Sequence, residues 1–255
     1  MSDTFDLRSL LADWPYDPDN DARVVRAEDG REILQVRTPL GVEQLEMEGR
    51  PDGERPHDME SALDYQLHRL EQARVAGREA EFELDAEACA ELFGEGTLYY
   101  FRYLRLFQLK RWAATVRDTA RNLRVFDLVH QYAAREEDQN HLEKWRPYIL
   151  RMNACAEALM TLDRGAHDRA LEILQAAIRR VEELEELDDE TFKFEQARSL
   201  QALRELAEQI RQTRPISPVE RLERQLRRAI ERQEFERAAE LRDRLKELRS
   251  RQPAP

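Results

Sequence analysis

Apolar and polar residues follow two different rhythms along this chain, and the change of rhythm divides it. Up to Met47 they alternate in short runs: Ala22-Arg23-Val24-Val25-Arg26, Arg31-Glu32-Ile33-Leu34-Gln35-Val36-Arg37 and Val42-Glu43-Gln44-Leu45-Glu46-Met47. Ala27-Glu28-Asp29-Gly30 and Thr38-Pro39-Leu40-Gly41 stand between the runs, and Asp-Gly between alternating segments is the strongest short hairpin signal. The pattern predicts a three-stranded antiparallel meander, which is stable only with one face laid on a helix. Trp14-Pro15-Tyr16-Asp17-Pro18 reads as a turn-rich entry to it. Gly49-Arg50-Pro51-Asp52-Gly53-Glu54-Arg55-Pro56 reads as a stiff connector from sheet to helix, or alternatively as a partner loop offering two arginines.

Beyond Pro56 the apolar positions recur at three and four residues, the spacing of amphipathic helices. Asp58 is placed to cap a helix running to about Val75 and ended by Gly77. A second helix starts near Asp85 and is expected to stop at Gly94-Glu95-Gly96. A third, from Thr97, holds Leu98, Tyr99, Tyr100, Phe101, Tyr103, Leu104, Leu106, Phe107 and Leu109, and is apolar enough to be the buried centre. A helix with Trp112, Val116, Leu123, Phe126 and Val129 follows. A bend comes at Trp145 and Pro147, then a helix to about Leu162 and two more over 168–187 and 190–211. Gly165, Ala170 and Ala177 fall where the turn and second helix of a tetratricopeptide repeat (TPR) carry their small residues, and this segment resembles one. His167 stands in place of the family's turn aromatic and Glu157 in place of a bulky residue. Lys110-Arg111-Trp112 echoes the same turn without its glycine. No regular 34-residue period accompanies the match, so the resemblance implies an irregular, TPR-like stack of helical hairpins.

The C-terminal segment holds two amphipathic helices joined at Arg232-Gln233-Glu234. Ser217-Pro218-Val219-Glu220 has the form of a capping box with proline in the first turn. Leu222, Leu226, Ala229 and Ile230 make one stripe; Phe235, Ala238, Ala239, Leu241, Leu245 and Leu248 make the other. Both alanines of the second stripe are small enough for close approach of the two helices. A hairpin of this size has too little core to stand alone, so it must pack on its own body, on a copy of itself or on another protein. The string Phe235-Glu236-Arg237-Ala238-Ala239-Glu240-Leu241-Arg242-Asp243 resembles the UVR motif, the helical hairpin that ends the excision-repair proteins UvrB and UvrC and recurs in other bacterial proteins. The family form has alanine where Ile230 stands and often methionine where Leu226 stands. The resemblance implies docking against another UVR-type hairpin, with Leu222, Leu226, Ile230, Phe235, Ala238, Ala239, Leu241, Arg242, Leu245 and Leu248 as the contact residues.

Composition narrows the class. The chain has 255 residues, 37% of them charged, and only 8 glycines, which suits helices rather than a β protein. Residues 1–98 carry 25 acids against 10 bases, whereas residues 99–151 carry 11 bases against 6 acids. An acidic front and a basic helical block suggest internal charge complementarity or a selective protein partner. The net charge of −12 argues against nucleic-acid binding by the whole chain, because phosphate repels it. A local site remains open: Arg111, Arg117, Arg121 and Arg124, interleaved with Tyr99, Tyr100, Tyr103 and Trp112, could meet single-stranded nucleic acid or an acidic partner. Arg117, Arg121 and Arg124 share one helical ridge, which also suits an acidic neighbour in the same chain.

Sites for chemistry are sparse. No phosphate-binding glycine loop of the Walker or dinucleotide type occurs, so the UVR resemblance does not bring UvrB's ATPase with it. Neither a His-Glu-x-x-His nor a Cys-x-x-Cys motif is present; Cys89 and Cys155 read as free buried thiols. His130 and His141, with Glu136 or Asp138 nearby, form only a weak metal candidate. The N-terminus lacks a signal pattern and no apolar run reaches the roughly 20 residues of a membrane span, so a cytoplasmic location is expected. The expectation is a mostly α, non-catalytic adaptor or scaffold without cofactor or metal. Its parts are a β meander and connector at 1–56, a TPR-like helical body at 57–213, and a linker with a UVR-type hairpin at 214–255. The hairpin's partner is a second copy or another protein; UvrB, UvrC, and the Clp-chaperone and arginine-kinase-activator proteins are implied by family. The alternative is a nucleic-acid-binding accessory factor in DNA repair using residues 99–124.

Overall fold

A computed structural model describes residues 7–215 and 218–251. The chain is mostly helical, with a small antiparallel sheet near the N-terminus, a stack of helices and a C-terminal helix pair. It divides into two compact units, Met1–Glu208 and Gln209–Pro255.

In the first unit a short helix α1 (Arg8–Asp13) precedes strands β1 (Ala22–Arg26), β2 (Glu32–Thr38) and β3 (Gly41–Glu46), paired in the order β1-β2-β3. The predicted meander is therefore present. Ala22 pairs with Val36 and Arg26 with Glu32, while Thr38 pairs with Gly41. Gly30 takes φ 87° in the first turn, a conformation that a side chain disfavours. Leu34, Val36 and Met47 pack with Leu106 of a helix below, which supplies the covered face the sheet requires.

The helices are α2 (Ala62–Val75), α3 (Ala86–Gln108), α4 (Trp112–Tyr132), α5 (Glu136–His141), α6 (Arg146–Asp163), α7 (His167–Glu182) and α8 (Glu190–Thr213). α3 packs on α4, α4 on α6 and α6 on α7. Asp85 caps α3 by accepting from Ala88 N at 2.9 Å, as its position predicts. α2 begins later than expected. Residues 56–58 form one tight turn with His57 and Asp58 at positive φ, and Ser61 is the cap, accepting from Asp64 N at 3.1 Å. α7 ends at Glu182, short of Leu187, and Asp189 caps α8 by accepting from Thr191 N and Phe192 N at 2.7 and 3.0 Å.

The largest departure from the sequence pattern is at Gly94-Glu95-Gly96, which lies within α3 rather than between two helices. Glycine weakens a helix by about 1 kcal/mol per residue, and tertiary bonds outweigh that here. The Glu95 carboxylate is buried and accepts from Ala62 N at 2.7 Å and Leu63 N at 3.1 Å, the open amides at the start of α2. Asn122 Nδ2 donates to Gly96 O at 2.8 Å. The aromatic half of α3 is also less uniformly buried than expected: Tyr99 and Tyr103 are interior, whereas half of Phe101 faces solvent. Both cysteines are buried and unpaired.

Candidate interaction site

The second unit contains α9 (Pro218–Glu231) and α10 (Phe235–Arg251). Their stripes meet along one seam. Ala229, Ala238 and Leu241 form its buried centre, with Leu222 and Leu226 packed against them, and Leu245 is buried one turn beyond. Leu248 is half-buried. Two alanines facing across the seam let the helices approach closely. Ala229 belongs to the predicted stripe but was not among the predicted contact residues; helical spacing from Leu222 and Leu226 is the signal that places it. Ala239, expected at the seam beside Ala238, points outward. Consecutive helical residues are turned by about 100°, so only one of the two can face the partner helix. The predicted Ser217 cap lies outside the described residues.

The turn between α9 and α10 has a defined closure. Glu234 N donates to Ala229 O at 2.8 Å and Gln233 N to Ile230 O at 3.0 Å, with Gln233 at φ 58°. That pair of bonds is the Schellman ending of a helix. The same pair closes α2 at Gly77 and α6 at Gly165, where glycine occupies the left-handed position. Gln233 carries a side chain in a conformation that costs a non-glycine residue about 1 kcal/mol. Gln233→Gly should stabilise the hairpin by about 0.5–1 kcal/mol. In the full chain this should appear as amide exchange in α9 and α10 slowed about two- to fivefold, with the first unit unchanged.

The predicted contact residues thus divide into two groups. Ala238, Leu241 and Leu245, with Leu222, Leu226 and the half-buried Leu248, build the hairpin itself. Phe235 is 71% exposed and Ile230 is 54% exposed; with Ala239 and Arg242 they lie on its outer surface.

The basic block of the first unit is arranged differently. Arg111 meets Glu32 at 3.1 Å, and Arg117 meets Glu48 at 2.5 Å while donating to Met47 O at 2.6 Å. Arg121 is mostly buried and bonds the Glu95 carboxylate. Arg124 is exposed. Arg105 pairs with Asp21 at 2.9 Å, and Arg102 is fully buried against Asp118. The acidic front and the basic helices answer each other, so three of the four arginines predicted as a nucleic-acid or acidic-partner contact already hold carboxylates of this unit. Tyr99, one of the stackable aromatics, has two guanidinium groups close to its ring, with Arg102 4.7 Å and Arg121 3.8 Å from its ring centre. Burial pushes its hydroxyl up to about 12.

His141 stacks on Phe93 at 4.4 Å, and His130 Nδ1 lies 3.4 Å from Gln139 O. Among the described residues no group of three or more His, Cys, Asp or Glu side chains is placed to hold a metal ion. No helix of the described residues is long and apolar enough to cross a membrane.

Among known families, the UvrB/uvrC motif (UVR) matches residues 217–251. These residues contain the whole of α9 and α10 with the turn between them. The match agrees with the resemblance carried by Phe235 to Asp243, and the UVR motif is a protein-interaction motif in UvrB and UvrC. No curated protein and no solved structure matches the chain.

Proposed function

We propose that this chain is a non-catalytic adaptor of the bacterial cytoplasm that docks through the outer surface of its α9–α10 hairpin onto another UVR-type hairpin. The first unit acts as a TPR-like helical body that carries the hairpin. The observation behind this reading is the placement of Phe235 and Ile230, large, apolar and exposed, on a hairpin that already fills its own seam with Ala229, Ala238 and Leu241. The partner is a second copy, or a protein with the same motif such as UvrB or UvrC. The arginine-kinase activators are a poorer fit, because this chain lacks the cysteine pairs of their zinc modules. The use of residues 99–124 for nucleic acid is disfavoured, since Arg111, Arg117 and Arg121 are engaged within the unit.

The test separates docking from folding. Phe235→Asp with Ile230→Asp alters only the outer surface, whereas Leu241→Asp would place a charge in the seam and open the hairpin. Self-association is measured by sedimentation, and binding to isolated UvrB and UvrC C-terminal hairpins by titration calorimetry. Truncating a central apolar anchor of an interface costs about 2 kcal/mol or more, so the outer-surface double variant should bind at least 30-fold more weakly with its helicity retained. Unchanged binding by that variant, or no association of the parent with any of the three, would sink the docking reading.

A further inference from the structure

The first unit holds a cavity that the docking reading does not use. It lies among α3, α4, α6, α8 and the turn at 141–145, and measures about 400 Å³, within the range of small-molecule sites, about 300–1,000 Å³. Aromatic side chains make much of its wall. Phe93, Tyr100 and Tyr148 line it, and Trp145, 42% exposed, lines it too. Tyr100 and Tyr148 have ring centres 6.1 Å apart.

Two features distinguish it from a packing defect. The first is Gly96, a lining residue in the middle of α3, where a Cβ would meet nothing within 4 Å. An alanine there would strengthen the helix without meeting a neighbour, so the glycine leaves this stretch of the cavity wall without a side chain. The second is Glu195 of α8, which also lines the cavity and is only 4% exposed. Its Oε1 accepts from Arg198 Nη1 at 3.3 Å, and Arg151 Nη2 stands 4.0 Å from Oε2. Oε2 has no hydrogen-bond partner. Buried polar atoms without a partner are few in native structures, and an unpaired acceptor is costly to leave unmade.

We propose that this cavity binds a small organic ligand with an aromatic body and a protonated amine, the amine donating to Glu195 Oε2 and the body lying among Phe93, Tyr100, Trp145 and Tyr148. The atom without a hydrogen-bond partner is an acceptor with Arg151 4.0 Å away, too far to donate to it, so the ligand must bring a donor. The faces of the surrounding rings carry negative electrostatic potential, which attracts cations. The two arginines near Glu195 supply two positive charges against one carboxylate, which would favour an anion if field alone decided. Arg198, however, is more than half exposed and its charge is answered by water, and Arg151 already lies over the Tyr148 ring at 5.0 Å. The geometry of the unpaired oxygen therefore sets the preference.

Three indole probes of one shape and different charge test this by calorimetry on the full chain: tryptamine, the neutral tryptophol and the anionic indole-3-propionate. Tryptamine should bind at least tenfold more tightly than either of the others. Glu195→Gln should bring tryptamine to within about threefold of tryptophol. Gly96→Leu, which puts a branched side chain into the cavity, should abolish tryptamine binding without lowering the melting temperature. Trp145→Ala, at the rim and outside the core, should weaken tryptamine binding and serves if either interior variant fails to fold. The proposal is overturned if no probe binds, if indole-3-propionate binds as tightly as tryptamine, or if tryptamine binding survives both Gly96→Leu and Trp145→Ala unchanged. None of these outcomes depends on the hairpin, so a failure here and a failure of the docking reading are separate results.

Discussion

Asp118→Ala should remove about 3–5 kcal/mol from the stability of the first unit, a large part of the roughly 5–15 kcal/mol typical of a folded domain. Arg102 and Asp118 are both fully buried. Their contact is two-pronged, Arg102 Nε to Asp118 Oδ2 at 2.7 Å and Nη2 to Oδ1 at 2.9 Å, and the remaining Nη1 donates to Glu46 O at 2.8 Å on β3. A guanidinium does not escape burial by losing its proton. Removing Asp118 therefore leaves the buried Arg102 charge without its counterion, the larger source of the loss, and takes one partner from the more exposed Arg117, whose Nε donates to Asp118 Oδ1 at 2.9 Å. The converse experiment identifies the cause. Arg102→Met with Asp118→Leu removes both charges and keeps the volume, and buried pairs replaced in this way are often neutral in stability. The double variant should recover to within about 1–2 kcal/mol of the parent, the remainder being the bond to Glu46 O and the bond that Arg117 Nε donates to Asp118 Oδ1 at 2.9 Å. Urea unfolding of the two variants beside the parent checks both statements. A single variant within 1 kcal/mol of the parent would contradict the account of the pair, and so would a double variant as unstable as the single.

That ion pair also shows where the sequence could be read and where it could not. The meander was legible because alternation and an Asp-Gly turn are local signals, and the observed register follows them. The start of α3 at Asp85, the turn at Gly165 and the two stripes of the hairpin were legible for the same reason. Gly94-Glu95-Gly96 was misjudged because the compensation is not local: the amides that Glu95 caps are 32 and 33 residues away. Internal charge complementarity was legible in the acidic front and the basic block, and the sequence held a further signal for the two charges that are buried. Glu95 and Arg102 stand at helical spacing from Tyr99, Tyr103 and Leu106, on the stripe α3 buries. A charged residue on a buried stripe implies a paired one facing it. At the hairpin the pattern identified the apolar set but not its division. Which residues fill the seam and which stay outside depends on the rotation of α9 against α10, and that is settled by the meeting of Ala229 and Ala238.

Glu95→Ala should be comparably damaging, at about 3–5 kcal/mol, but it should respond differently to rescue. Glu95 is almost wholly buried and serves four groups. It accepts the first open amides of α2, bonds Arg121, and lies 3.6 Å from Arg50 Nη1 of the connector after β3. It therefore joins the connector, α2, α3 and α4 at one carboxylate. Burial pushes the charge of Arg121 down, while the carboxylate against it favours the charged form, and a guanidinium stays protonated in any case. Arg121 Nε is itself buried without a partner, so Arg121→Met alone relieves one unmet donor while removing a counterion. Glu95→Met with Arg121→Met takes both charges out of the interior, as the double replacement does at Arg102 and Asp118. It still leaves the amides of Ala62 and Leu63 without an acceptor, and each such buried group costs about 1–3 kcal/mol. The double variant should therefore stay at least 2 kcal/mol below the parent. Its local signature is amide exchange at Ala62, Leu63 and Asp64 accelerated more than in α4 or α6. Full recovery of stability would mean that Glu95 acts only as the counterion of Arg121. Incomplete recovery with exchange concentrated at the start of α2 would establish that a glutamate between two glycines is kept because it ends another helix from a distance.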